Sequence, residues 1–298
     1  MKAWIKNEKG NALILMAIGL GMATAMCGVV IDGGHLYKTQ SSLQKTVNAT
    51  ALSGAQELMN SEEEVSNVVD EVLGAHGESE SLYNMDVLEE QSLRVELERP
   101  TDVFFSSLFG VETVDINASA NVEVAAVGEA SGAAPFGINE ETDLVFNETY
   151  DLKVDSGDST GGNFGILALE GPGAKTYEET LKNGYDEPLR IGDEVDTQTG
   201  NISGPTERGV NHRIDNCPSG DIYDRDCDRV MLIPVYAPIG NKDNYREVEI
   251  RGFAYFYLEE RMNKNDDSVR GRFIKRVGGG TIVEGSASRG AYTTRLTQ

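Results

Sequence analysis

Twenty consecutive uncharged residues, Ala12 to Ile31, run straight into a segment whose apolar residues recur at helical spacing, and nothing else in the chain constrains its architecture as strongly. At about 1.5 Å per residue an α-helix of that length covers roughly 30 Å, the thickness of a bilayer's hydrocarbon core. Lys2, Lys6 and Lys9 precede the run, whereas Asp32, Gly33, Gly34 and His35 follow it. The positive-inside rule then predicts an inner N-terminus (1–11), a transmembrane helix (12–31) and everything after Ile31 on the outer side. Ala17, Gly21 and Ala25 recur every four residues. That stripe is either a helix-packing face or plain composition.

A cleaved signal peptide is the main rival. Ala23 to Ala25 form an A-x-A site behind a lysine-bearing start. The apolar run continues beyond it, through Met26, Cys27, Gly28, Val29, Val30 and Ile31, so cleavage would leave a greasy new N-terminus. Cys27 is a poor lipid-attachment site, because Met26 stands where a small residue is wanted. A permanent anchor is the better reading. Leu36, Leu43, Val47, Ala51, Ala55 and Leu58 keep near-helical spacing, which predicts that the spanning helix continues outward as a stalk helix with one packed face.

The combination of Gly10, Asp32, Leu36, Tyr37, Leu43, Gln44, Ala49, Ala51, Leu52, Gly54 and Ala55 resembles the N-terminal segment of TadE/TadG-like proteins of tight-adherence (Flp) pilus systems. The resemblance covers about 50 residues. It implies a role in pilus assembly or related surface secretion, with other pilus proteins and the membrane as partners. A pilin-type cut after Gly10 fits less well, since Leu15 holds the position where pilin precursors usually carry Glu.

Farther on, Ser61 is placed to cap a helix that starts with Glu62 to Glu64 and ends at Gly74 or Gly77. Leu93–Pro100 alternates as a strand, and so does "VDINASANVEVAAV". Between them, "TDVFFSSLFG" predicts a short helix capped by Thr101 or Asp102, with Phe104, Phe105, Leu108 and Phe109 buried. Residues 32–127 thus read as a stalk helix with a small α+β module, and Gly128–Pro135 as a small-residue linker. Residues 136–298 read as a mostly-β domain, with candidate strands in "DLVF", "YDLKV", "FGILAL", "RVMLIPVYA" and "REVEIRGFAYFYLEE". One helix is expected around Tyr177 to Lys182, and the segment from Gly278 reads as a tail holding at most one strand. The fold class is α+β.

This second half also resembles a long, Gram-positive-type subgroup of the same proteins, on "PFGI" (Pro135–Ile138), "GNFGILAL" (Gly162–Leu169), Gly192–Asp193, Gly200–Asn201 and Gly204–Thr206. That likeness carries over no catalytic residues. The Asp-x-Ser-x-Ser run of a von Willebrand-type metal site does not occur in the sequence.

With 49 acidic against 26 basic residues the chain has a net charge of −23, which repels phosphate backbones and argues against nucleic-acid binding. "GDSTG" (Gly157–Gly161) matches the pattern of a nucleophile elbow, but a strand rather than a helix follows, and only His212 is left as a base for Ser159. A Gly- and Asp-rich turn explains it more simply. The glycines of "EGPGAK" and "VGGGT" lack phosphate-loop spacing. Cys217 and Cys227, the cysteines outside the span, are disulfide candidates for an outer domain. Asp221, Asp224, Asp226 and Asp228 could offer oxygens to Ca²⁺, although the loop lacks the glycine and distal Glu of an EF-hand. Zinc on His212, Cys217 and Cys227 would need a fourth ligand and reduced sulfur. The reading that results is a membrane-anchored, non-enzymatic component without cofactor. The alternative is a membrane-tethered binding or adhesion module that reads Ca²⁺, wall polymer or a host surface through the Cys217–Asp228 loop.

Overall fold

The computed structural model describes residues 8–88, 91–153, 164–198, 202–240, 245–263 and 268–297. Two compact units are distinguishable. The first comprises residues 1–54, 63–122 and 296–298, and the second residues 55–62 and 123–295.

In the first unit α1 runs unbroken from Glu8 to Ala55. Its 48 residues correspond to about 70 Å of helix. Neither Gly33 nor Gly34 interrupts it, because a glycine costs an α-helix only about 1 kcal/mol when no proline or competing cap is near. The helix changes character along its length. From Ala12 to Ile31 nearly every side chain is exposed, whereas Leu43, Val47 and Ala51 are buried. α2 (Glu62–His76) buries Val65, Val69 and Leu73 at helical spacing and stops at Gly77, whose φ of +69° suits glycine. β1 (Leu82–Leu88), β2 (Ser92–Asp102) and β3 (Thr113–Ala126) follow in that order across a sheet. β1 and β2 pair antiparallel, Leu88 with Ser92 through Leu82 with Leu97. Leu93, Val95 and Leu97 alternate into the core, as do Ile116, Ala118, Ala120 and Val122. β2 thus extends the expected strand by two residues beyond Pro100, where pairing with β1 has already ended and the missing N–H is harmless.

The second unit is mostly β. Its short strands are β4 (Glu129–Ala130), β5 (Phe136–Asn139), β6 (Thr149–Lys153), β7 (Phe164–Ile166), β8 (Leu189–Arg190) and β9 (Glu194–Asp196). α3 (Ala174–Asn183) and α4 (Ser203–Asn216) are interleaved with these. β10 (Val230–Pro238), β11 (Glu247–Leu258), β12 (Ser268–Ile274), β13 (Arg276–Val277) and β14 (Ala291–Thr297) complete it. The main sheet runs β6-β12-β11-β10-β5-β7, with β9 on the other end of β11. Both of its faces are covered. Met231, Ile233, Val235, Ala254, Phe256 and Leu258 pack with Tyr177 and Leu181 of α3 and Val210 and Ile214 of α4. Leu232, Tyr236, Val248, Ile250 and Phe253 form the opposite face with Val127, Ala130, Leu189 and Ala291. This is why "VMLIPVYA" reads as a continuous apolar run instead of alternating.

Several expectations need correction. "DLVF" is irregular chain, with Leu144 and Phe146 leaning on the core from a turn. Gly204–Thr206 belongs to α4, a helix hidden in the sequence by Gly204, Pro205 and Gly209. Pro205 is tolerated in the first turn, and Gly209 admits Leu181, which a Cβ there would meet at 2.6 Å. β12 adds a strand to those expected. Gly128–Pro135 is folded in rather than loose: β4 pairs with β8, and Ala130, Ala133 and Ala134 are buried. The units divide instead between Val122 and Glu123, inside β3. The segment from Gly278 is likewise packed, with Thr281 bridged to Glu129 and Val283 against Gly128.

Candidate functional site

Within the first unit, the most highly determined arrangement joins α1 to the β2–β3 loop. That loop closes where the Val103 N–H donates to the Glu112 carbonyl at 3.1 Å. At its tip Ser106–Phe109 form a short 3₁₀ helix, whose leading N–H groups have no partners of their own. The expected caps, Thr101 and Asp102, do not serve them. Asp32 of α1 does: Oδ1 accepts the Phe104 N–H at 2.9 Å, and Oδ2 accepts the N–H groups of Phe105 (3.0 Å) and Ser106 (2.7 Å). The Ser106 hydroxyl donates to Oδ2 at 2.8 Å as well. Only 3% of Asp32 is exposed. Desolvation pushes its carboxyl up, but the bonds from the Ser106 hydroxyl and from the N–H groups of Ser106, Phe104 and Phe105 outweigh that and hold it at about 2.

Ring contacts complete the lock. Phe105 packs so closely on Gly28 that a Cβ there would lie 2.6 Å from its Cγ. His35 and Phe104 stand ring to ring at 5.6 Å. The four apolar side chains of this loop are not buried together as expected. Phe104, Leu108 and Phe109 are 62%, 79% and 80% exposed. Asp32 grips the loop mainly by its backbone; Phe105 packs on the helix at Gly28, and Phe104 keeps a ring contact with His35 while staying largely exposed.

A second set of contacts lies one to three turns farther along. The Gln40 amide donates to the Asn117 carbonyl at 3.0 Å, and the Gln44 amide donates to the Ser119 carbonyl and to Asn48 Oδ1, both at 2.9 Å. These bonds rivet α1 to the backbone of β3. Near its end Gly54 lets Leu93 and Val69 approach to 2.8 and 2.9 Å of where a Cβ would be. Asp32, Leu43, Gln44, Ala51, Gly54 and Ala55, singled out from the sequence, are therefore the bonding and buried positions of one helix. Tyr37 is exposed and Leu36 half-buried; Gly10 lies in the first turn of α1. Ala17, Gly21 and Ala25 form an open stripe, with nothing within 4 Å of Gly21. The missed partners are Gly28, Gln40, Phe105 and Ser106. The clue available was a helix start, "FFSSLF", with no effective cap of its own.

In the second unit Cys217 and Cys227 form a disulfide with a Cα–Cα distance of 5.1 Å, so neither sulfur is free for zinc. The loop they close is held by arginines. Arg225 pairs with Glu57 at 2.5 Å, and Arg276 donates to the carbonyls of Ile222 and Asp224 at 3.1 Å each. Arg213 of α4, its guanidinium pulled down to about 10 by burial, donates to the carbonyls of Leu181 and Asp228. The aspartates are dispersed: Asp221 accepts the N–H of Tyr223, Asp224 that of Asp226, and Asp228 the Asn216 amide. Among the described residues no three His, Cys, Asp or Glu side chains are grouped to hold a metal ion. His212 lies on exposed α4 surface near Asn216, while Ser159, Gly200 and Asn201 fall outside the described residues.

Residues 10–57 match the family model described as "Putative Flp pilus-assembly TadE/G-like". The matched segment is α1 with the two residues that follow it. No curated protein and no solved structure matches the chain. Among the described residues α1 is the one helix long and apolar enough to cross a membrane.

Proposed function

We propose that this chain is a single-pass membrane component of Flp-type pilus assembly or of related surface secretion machinery. Its N-terminus lies inside and its folded units outside, and it acts through protein–protein contacts without catalysis. The observation that carries this reading is the division of α1 into an exposed apolar half and a docked half, within the segment that the pilus-assembly family model covers. The three lysines close before the span support the orientation. A rigid helix crossing from lipid into a folded unit would transmit position, as an assembly component must.

Deletion of the gene in the source organism is expected to remove surface pili, and the wild-type chain and Ser159→Ala to restore them equally. Replacing both Gln40 and Gln44 by Leu should leave the protein in the membrane with reduced piliation. Unchanged piliation on deletion would overturn the proposal. Restoration by wild type but not by Ser159→Ala would point to a hydrolase instead.

A further inference from the structure

From Val103 to Val111 the β2–β3 loop carries no charge, and Asp102 and Glu112 mark its two stems. Its ring anchor, Phe105, lies against Gly28, three residues inside the end of the uncharged run at Ile31. Three residues of helix are about 4.5 Å, so the loop tip lies at the depth of the last turn of the span instead of above it. Phe104, Leu108 and Phe109 of the same loop are exposed, as are Met26, Val29, Val30 and Ile31 of the neighbouring stretch of α1, and Phe104 has one ring face against His35 just beyond the run. Large aromatic and aliphatic side chains left uncovered in one patch mark a surface that something apolar covers.

We infer that the tip of this loop inserts into the outer interfacial layer of the membrane that α1 crosses, so that the first unit is held to lipid at two points. The inference rests on the reading of α1 as a membrane span. Lipid is the occupant that the geometry selects, because Phe105 on Gly28 and the Asp32 bonds seat this uncharged loop at the outer end of the apolar run, the depth where aromatic residues concentrate at bilayer interfaces. The polar atoms agree. A backbone lowered into that layer needs its N–H groups satisfied without water, and Asp32 accepts those of Phe104, Phe105 and Ser106. The same bonds keep the Asp32 carboxylate supplied with donors where water is scarce. With a net charge of −23 the chain has little electrostatic attraction for anionic headgroups, so the contact is apolar and should not require them.

The test uses the full chain in phosphatidylcholine vesicles, with its single tryptophan removed by Trp4→Phe. One indole at a time is then introduced through Phe109→Trp, Leu20→Trp in mid-span, or Tyr83→Trp on the exposed face of β1. The expected result is that lipids brominated near the headgroup end of the acyl chain quench Phe109→Trp more strongly than lipids brominated deep in the chain, as insertion to interfacial depth requires. Aqueous iodide should not reach it, and Tyr83→Trp should show the reverse. If Leu20→Trp is quenched by lipids brominated deep in the acyl chain while Phe109→Trp answers to iodide, the inference is overturned and the span stands. If neither quencher reaches Phe109→Trp, protein covers the patch, and the inference is overturned in favour of self-association. If Leu20→Trp is not quenched by any brominated lipid, the span itself is wrong and the inference falls with it.

Discussion

At the scale of single residues, Asp32 is the side chain on which the first unit's attachment to α1 turns. Its two oxygens take four donors, and an amide in its place would face donor against donor on one side. Asp32→Asn is therefore expected to speed amide hydrogen exchange at Phe104, Phe105 and Ser106 while leaving the β2–β3 pairing protected. Unchanged exchange at those three amides would contradict the assignment. The pH dependence has a definite sign. A carboxyl held at about 2, below its ordinary 3.8, contributes fully above pH 3.8, and its contribution is lost as pH falls towards 2. Wild-type loop protection should decline in that window, and Asp32→Asn should remove the decline. Gly54 is the second position where one residue decides. Leu93 and Val69 already occupy the space of a side chain there, so Gly54→Leu should destabilise the first unit by about 1–3 kcal/mol through overpacking, measurable as a fall in melting temperature. No change on substitution would mean that the helix is not seated as described.

At the scale of elements, α1 was legible in the sequence and most of its partners were not. Charge-free length and a stripe of Leu43, Val47, Ala51 and Ala55 reveal a helix, because periodicity is a local property. Which carbonyls Gln40 and Gln44 would meet depends on β3, more than 70 residues away, and no local pattern encodes that. The loop at Phe104–Phe109 was misread for a related reason. A helix start followed by apolar side chains suggests burial, but its cap comes from Asp32, and Phe104, Leu108 and Phe109 are left exposed. α4 was lost to its Gly204, Pro205 and Gly209, although Thr206, Val210, Arg213 and Ile214 do follow helical spacing once the breakers are discounted. Gly137 of β5 and Gly165 of β7 have their reason in Tyr236, whose ring and hydroxyl lie 2.7 and 2.8 Å from where their Cβ atoms would be. The disulfide clips the chain between α4 and β10 at a sequence separation of 10. Cross-linking a loop of this size typically contributes about 2–3 kcal/mol, so reduction should lower the denaturation midpoint of the second unit by a corresponding amount. An identical midpoint in oxidised and reduced protein would show that the arginine bonds to the loop suffice without it.

At the scale of the molecule, the division of labour follows from solvent. Residues 12–31 expose apolar side chains along their length, an arrangement stable only in lipid or against other apolar helices. The mostly-β second unit buries its apolar residues on both faces of its main sheet and leaves an acidic exterior. Composition foretold that partition, and the order of strands in the main sheet was beyond it. Because β10 joins β5 in parallel and β11 antiparallel, the sheet sets Ile138 beside Val235, far apart in sequence. The central claim is that α1 stays attached as a membrane span beneath these folded units. The most direct measurement is the intact mass of the native protein in washed membranes and in material sheared from the cell surface. The full-length mass is expected in the membranes and none in the sheared fraction. A species beginning near Asn11 or Met26 in the sheared material would contradict it, and would make the opening segment a processing signal.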